Sequence, residues 1–355
     1  MLQIIVFILI LAALVLFHEF GHFIIAKKSG MQVDEFGFGF PPRIFGKKIG
    51  ETTYTLNAIP LGGFVKIAGE NNENENNPRS FINKSFTARF ATLVAGVIMN
   101  FILAWILFSI GFTVGLPTVV EQGQDIPAHG QIRGGAITIL QTDPNSPAAK
   151  AGIREGDSIV AIDNQPLQTT DQVIKYVKSK AGTSIDFHIK RGNQDQDIKV
   201  TPRQNPPPGE GAIGIALGNV GRLSYPFYYA PIAGLKATWQ VIVGTASGFY
   251  HLIFQGQGLS SIGGPVKIAK LTGQVTQLGL VYILQFAAFL SVNLGILNIL
   301  PFPALDGGRV LFLVIEKIRG KRNNAKVEQW FNTIGFALLM LLVLIITIKD
   351  VKSLF

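Results

Sequence analysis

Residues 2–22 read LQIIVFILILAALVLFHEFGH, and the apolar, helix-like pattern lasts through Ala26. A helix needs about 20 apolar residues to cross a bilayer. The stretch therefore predicts a membrane span, one that carries three ionisable side chains, His18, Glu19 and His22. No basic segment precedes it and no small-x-small cleavage site follows, which separates it from a signal peptide. Residues 90–116 and 271–305 contain no charged side chain, the second being most apolar at 278–300. Residues 331–348 form a last apolar run before Lys349. Four transmembrane helices are predicted.

Composition points the same way. Of 355 residues, 48% are hydrophobic and 15% charged, against about 25% charged in typical soluble proteins. So little charge does not cover a soluble surface of this size, and 26 Phe with long apolar runs exclude disorder. Cys is absent. That excludes disulfides and thiolate chemistry, and leaves His and carboxylate as the ligands for any transition metal. The net charge of +9 is not a nucleic-acid signal, because nine Lys/Arg lie in residues 27–89 and six in 301–329. These are the loops that the positive-inside rule places in the cytoplasm. Both termini and residues 117–277 then lie on the other side. A span at 237–266, where Trp239, Tyr250 and His251 sit among Gly, Ser, Thr and Gln, would break that parity. This stretch is expected to lie along the surface as an interfacial amphipathic segment.

Residues 117–205 differ in composition, with acidic and basic residues near balance. Short β-type runs at 136–140, 158–162, 184–190 and 197–201 alternate with turn signals. Residues 170–179 (TDQVIKYVKS) predict a helix capped by Thr169 or Thr170, with Val173, Ile174 and Val177 on one face. Asn205-Pro206-Pro207-Pro208-Gly209 punctuates the end as a linker. The run Ser146-Pro147-Ala148-Ala149-Lys150-Ala151-Gly152-Ile153-Arg154-Glu155-Gly156-Asp157, with Ile162-Asp163-Asn164, resembles a PDZ domain of the bacterial, protease-associated kind. That resemblance implies a groove where peptide or protein C-termini add as a strand, with Gly130 to Gly135 as the expected carboxylate-binding loop. A domain on the far side could instead act as a filter that keeps bulky outer domains away from the site. The expected organisation is 1–116, N-terminal membrane core; 117–205, PDZ domain; 206–277, linker and interfacial segment; 278–355, C-terminal membrane core.

The chemistry centres on His18-Glu19-Phe20-Gly21-His22. Residues i and i+4 of a helix share a face, so both imidazoles can hold one zinc ion, and the adjacent Glu19 can take a proton from an activated water. Ionisable groups inside a span are expensive and mark function. A third protein ligand is needed. His129, His188 and His251 lie on the far side by the topology above. Counted inward from Lys27, His22 is roughly 8 Å deep and His18 roughly 14 Å. The third span arrives at that depth with Asn298-Ile299-Leu300-Pro301-Phe302-Pro303-Ala304-Leu305-Asp306-Gly307-Gly308. Irregular backbone is tolerated there only where it is buried or lines a cavity. Asp306 is the candidate third ligand, or an N-cap for a helix over 309–319, and the two roles are compatible.

Both motifs, in this order, resemble the site-2 protease family of intramembrane zinc metalloproteases, in its bacterial regulator-of-sigma-E branch. Gly37-Phe38-Gly39-Phe40-Pro41-Pro42 and Ala58-Ile59-Pro60-Leu61-Gly62-Gly63-Phe64-Val65-Lys66 resemble that family's membrane-dipping β-hairpin. Gly96-Val97-Ile98-Met99-Asn100 resembles its second-span motif, with Val97 where a Pro often stands. The resemblance implies a polytopic α-helical membrane protein with an inserted mixed α/β PDZ domain, in a bacterial inner membrane. It implies Zn2+ on His18, His22 and Asp306, Glu19 as general base, and Asn298 and Asn293 as substrate-binding amides. The implied substrates are single-span membrane proteins such as anti-sigma factors or signal-peptide remnants, with an edge strand near residues 52–66 holding them extended. Three rivals are a membrane-anchored PDZ scaffold, a transporter with a structural metal, and a zincin that cuts soluble peptides. Transporters usually show repeated halves, and none is seen here.

Overall fold

The computed structural model describes residues 2–70, 76–120, 127–192, 194–207, 209–256 and 263–352. Among the described residues, four helices are long and apolar enough to cross a membrane: α1 (Leu2–Lys28), α2 (Phe86–Val114), and two that follow the sheet domain, Leu280–Ile299 and Ala325–Lys352. They match the four predicted spans. The chain divides into two compact units. One comprises Met1–Phe108, Gly234–Gly273 and Phe286–Phe355; the other comprises Ser109–Ala233 and Gln274–Gln285.

In the first unit, β1 (Val33–Ile49) and β2 (Thr52–Ile67) follow α1. Ile49 pairs with Thr52 across a two-residue turn whose Gly50 has φ +62°, a backbone setting open to glycine. Gly37 pairs with both Thr55 and Phe64. The strands therefore bend back on themselves, residues 33–38 lie between 53–56 and 63–67, and the 63–67 segment is an edge. At the turn, Glu51 accepts from Lys27 at 2.6 Å and from both Arg79 nitrogens at 2.7 Å, which ties the hairpin to the end of α1.

The second unit is built on β3 (Leu116–Val119), β4 (Gln131–Thr142), β5 (Ser158–Ile162), β6 (Ile185–Arg191), β7 (Gln194–Val200) and β8 (Ile215–Ser224). Their order in the sheet is β3-β8-β4-β5-β6-β7. Two helices belong with them, α3 (Pro147–Ala151) and α4 (Thr170–Ser179). Period-two alternation buries Ile185, Phe187 and Ile189 of β6, each contributing roughly 1.5–3 kcal/mol. A capping box between Thr169 and Gln172 starts α4, satisfying two otherwise orphaned N–H groups. Its Val173 and Val177 enter the core, whereas Ile174, expected on the same face, is exposed. Asp157 is fully buried and takes a bidentate bond from Arg191, 2.7 Å for each nitrogen.

Two expectations for this region need correction. The domain does not end at residue 205, because β8, inside the stretch read as linker, is hydrogen-bonded between β3 and β4. Residues 131–135 are not a carboxylate-binding loop either: they belong to β4, and Gln131, Ile132 and Arg133 pair with Ser224, Leu223 and Arg222. Residue 208 of the linker lies outside the described residues. The chain then continues through α5 (Ala230–Gln255), α6 (Pro265–Leu278), α7 (Leu280–Ile299), α8 (Asp306–Arg319) and α9 (Ala325–Lys352). Helix α5 covers most of the expected interfacial stretch and is not among the four span-like helices; residues 257–262 of that stretch lie outside the described residues.

Candidate active site

Helix α1 presents His18 and His22 one turn apart, each 7% exposed. Small residues let α2 come close enough to enclose them. A methyl group on Gly21 would lie 2.7 Å from Met99 Cγ, and one on Gly96 would lie 2.7 Å from His18 Cε1 and collide with His22 Nε2. Asn298 stands on the last turn of α7, and the loop through Pro301 and Pro303 leads to α8. Side chains on Gly307 and Gly308 would strike the carbonyls of Ile299, Leu300 and Phe302. The two glycines thus let the first turn of α8 press against the end of α7, with Asp306 facing the imidazoles. The N-cap of α8 is Leu305, and it makes no side-chain cap bond, so the helix starts at 306 and Asp306 is not its cap. Two ion pairs fix α8 in place, Arg89–Glu316 at 2.6 Å and Arg309–Glu70.

The donor atoms converge. His18 Nε2 and His22 Nε2 lie 3.1 and 3.2 Å from Asp306 Oδ2 and 3.2 Å from each other. Zinc bonds of about 2.0–2.1 Å in a tetrahedron set its ligands about 3.3 Å apart, so the triangle fits three corners of a zinc site. Asp306 Oδ2 is buried with no hydrogen-bond partner. A carboxylate oxygen set between two imidazole nitrogens, with no hydrogen bonded to it, completes a donor set suited to a cation.

The far side of each ring completes the fit. His22 Nδ1 lies 2.7 Å from the Thr92 carbonyl oxygen, an acceptor only, so its proton sits on Nδ1 and the Nε2 lone pair faces Asp306. His18 Nδ1 lies 3.2 Å from the Asn100 amide, whose residue is fully buried and whose Oδ1 has no partner. Rotating the Asn100 amide by 180° exchanges two atoms that crystallographic practice also assigns from hydrogen bonding. Oδ1 then accepts from His18 Nδ1–H, and His18 Nε2 is free to ligate. Thr92, Gly96 and Asn100 recur at i, i+4 and i+8 on one stripe of α2.

Glu19, Asn298, His18 and Asp306 line one cavity of about 220 Å³, with Val15 and Leu294 as apolar wall. Asn298 Nδ2 lies 3.4 Å from His18 Nε2. Gly63, on the edge segment of the hairpin, adjoins the same site: a methyl group there would lie 3.2 Å from Glu19 Cγ. Asn293 is not brought to the site. It is five residues from Asn298, about 140° round the helix, and its Nδ2 donates to the Phe289 carbonyl at 2.8 Å.

Residues 6–342 match peptidase family M50. The chain belongs to that family. The M50 chain is 33% identical to the regulator of sigma-W protease RasP of Bacillus subtilis, over 99% of each chain. It is 30% identical to the zinc metalloprotease RasP of Geobacillus kaustophilus, over 99% of this chain and 98% of that one. Part of the sheet domain is similar to a solved PDZ domain of an SdrC-like protein from Listeria innocua, 28% identical, covering 23% of this chain and 92% of that one with TM-score 0.21. The M50 chain is a zinc metalloprotease. The roles of Thr92 and Asn100 were not anticipated from sequence. Only Asn100 left a signal, an amide side chain inside an uncharged span; Thr92 acts through its main-chain carbonyl, which any residue type would supply.

Proposed function

We propose that His18, His22 and Asp306 hold the zinc ion of an intramembrane protease and that Glu19 is its general base. The convergence of the three donor atoms beside a cavity that also holds Glu19 and Asn298 carries this reading. Zinc held there supplies Lewis-acid polarisation of a peptide carbonyl and lowers the pKa of water. Glu19 takes the proton from the attacking water and passes it to the leaving amine. The Asn298 amide donates to the oxygen that gains charge as the carbonyl is attacked. The edge segment 63–67 offers unpaired backbone to an unwound substrate strand, and Gly63 beside Glu19 brings that strand to the base. Within the expected 52–66 region, 53–56 is paired on both sides and offers no edge.

The substrates are single-span membrane proteins of the anti-sigma-factor or signal-peptide-remnant type, cut in a bacterial inner membrane. The termini and the sheet domain face outward, and residues 27–89 and 301–329 face the cytoplasm. The sheet domain filters substrates by the bulk of their outer domains. Purified protein in proteoliposomes with a single-span reporter tests the reading. Cleavage should stop with a zinc chelator and resume on zinc addition. The Glu19→Gln variant should retain zinc without cleaving; proteolysis by this variant would remove Glu19 from its role.

A further inference from the structure

A cavity larger than the one at the zinc site lies elsewhere. It lies in the sheet domain, has a volume of about 780 Å³, and is lined by Arg133 of β4, Arg222 of β8 and Lys190 of β6. Arg133 and Arg222 are direct partners in the β4–β8 register, and like charges directly opposite on a sheet destabilise it. Among the described residues that line the cavity there is no Asp or Glu. The one hydrogen bond of these two guanidinium groups among the described residues goes from Arg133 to the neutral Gln131, at 3.1 Å. Asp195, opposite Lys190 on β7, offsets only that cation. Two neutral hydroxyls add to the wall, Thr138 and Ser158, 3.2 Å apart. The site is built for an anion.

Its position identifies the anion. Thr113 and Val114, the last residues of the span-like α2, line the cavity, followed by Gly115. The stem of Arg222 passes 3.4 Å from where a Cβ on Gly115 would stand. Tyr225, also in the wall, donates its N–H to the Phe112 carbonyl at 2.9 Å and stacks edge-on against the Phe112 ring. The cavity is thereby pinned to the end of a span, at the height of lipid headgroups. Phe227 and Tyr228, just beyond, are 81% and 64% exposed, and aromatics of this kind sit at membrane–water interfaces. The β8 backbone around Arg222 is paired on both sides, so it has no edge to offer a peptide. We propose that this cavity binds the phosphate of an anionic phospholipid headgroup, with Arg133 and Arg222 as its principal cations. The proposal rests on α2 crossing a membrane and is independent of the zinc chemistry.

The test uses the full-length, zinc-loaded protein in detergent, titrated with dihexanoyl-phosphatidylglycerol and followed by native mass spectrometry. Each cation near an anionic headgroup contributes about a factor of five. Arg133→Gln combined with Arg222→Gln should therefore weaken phosphatidylglycerol binding roughly 25-fold, while Lys199→Gln on β7 leaves it unchanged. Without lipid, the double variant should keep its zinc and melt no lower than wild type, because a like-charge pair has been removed. Wild-type binding by the double variant would overturn the proposal. So would equal displacement by equimolar inorganic phosphate or by an acidic peptide, which would assign the site to a soluble anion or to a protein partner. A measurement on wild type alone decides independently of the variants: phosphatidylglycerol vesicles should raise the melting temperature above that in phosphatidylcholine vesicles, and equal values would refute the assignment.

Discussion

Replacing Asn100 by Leu, which keeps the branching but puts methyl groups in place of the amide oxygen and nitrogen, isolates the support given to one proposed zinc ligand. With the metal on His18 Nε2, the ring proton must sit on Nδ1, in a pocket where Asn100 is fully buried and 3.2 Å away. Leu leaves that N–H without an acceptor. An unmade hydrogen bond of a buried polar group costs about 1–3 kcal/mol. In the metal-free variant the imidazole escapes the cost by moving its proton to Nε2, so the whole penalty falls on zinc binding. The expected loss is roughly 5- to 150-fold in affinity, within the range for removal of residues that orient metal ligands. Competition with a chromogenic chelator measures it on purified protein, with the melting temperature of the metal-free form as the control for packing. Asn100→Asp restores an acceptor and should restore affinity. Wild-type zinc affinity in Asn100→Leu would show that His18 needs no acceptor from Asn100, and an Asp variant as weak as the Leu variant would reduce Asn100 to packing.

Other outcomes follow from the same geometry. Asp306→Asn replaces an anionic donor by a neutral amide and should cut zinc affinity at least about tenfold, read by the same competition; unchanged affinity would place the third ligand elsewhere. Gly96→Ala puts a methyl group among the imidazole atoms, 2.7 Å from His18 Cε1, and should lower zinc stoichiometry with helix content by circular dichroism unchanged. Hydrogen bonds from Arg79, then Lys27, hold Glu51 down to about 2 from its ordinary 4.5. A depressed carboxylate stabilises above its unfolded value and loses that contribution as pH falls through its folded one. Protection of the hairpin from proteolysis should therefore decline between pH 4.5 and 2, and Glu51→Gln should flatten that decline.

The spans and the cluster of His18, His22 and Asp306 were legible because each rests on a local pattern. Uncharged runs of 18 or more residues have few alternatives, and two imidazoles four apart share a helix face wherever the helix goes. Asp306 needed only a depth argument and a proline-broken segment. What escaped was set by packing between distant elements. Strand β8 follows a Pro- and Gly-rich stretch and carries two glycines of its own, so its sequence reads as linker until β3 and β4 are seen on either side. Asn100 is one polar residue in an apolar helix, and nothing local shows that it meets His18, 82 positions away. Asn293 shows the opposite failure. An amide in a span suggests a ligand, yet this one is satisfied by the carbonyl four residues earlier on its own helix.

The position of the bond that is cut decides whether this protease works inside the membrane. Purified protein and a single-span reporter, reconstituted together, yield two fragments whose intact masses locate the scissile bond. Hydrolysis inside the reporter's span, in its cytoplasmic half at the depth of His18 and His22, is the predicted result, with the same fragments absent for Glu19→Gln. Cleavage confined to residues outside the span would contradict the account and make the protein a membrane-anchored protease of soluble segments.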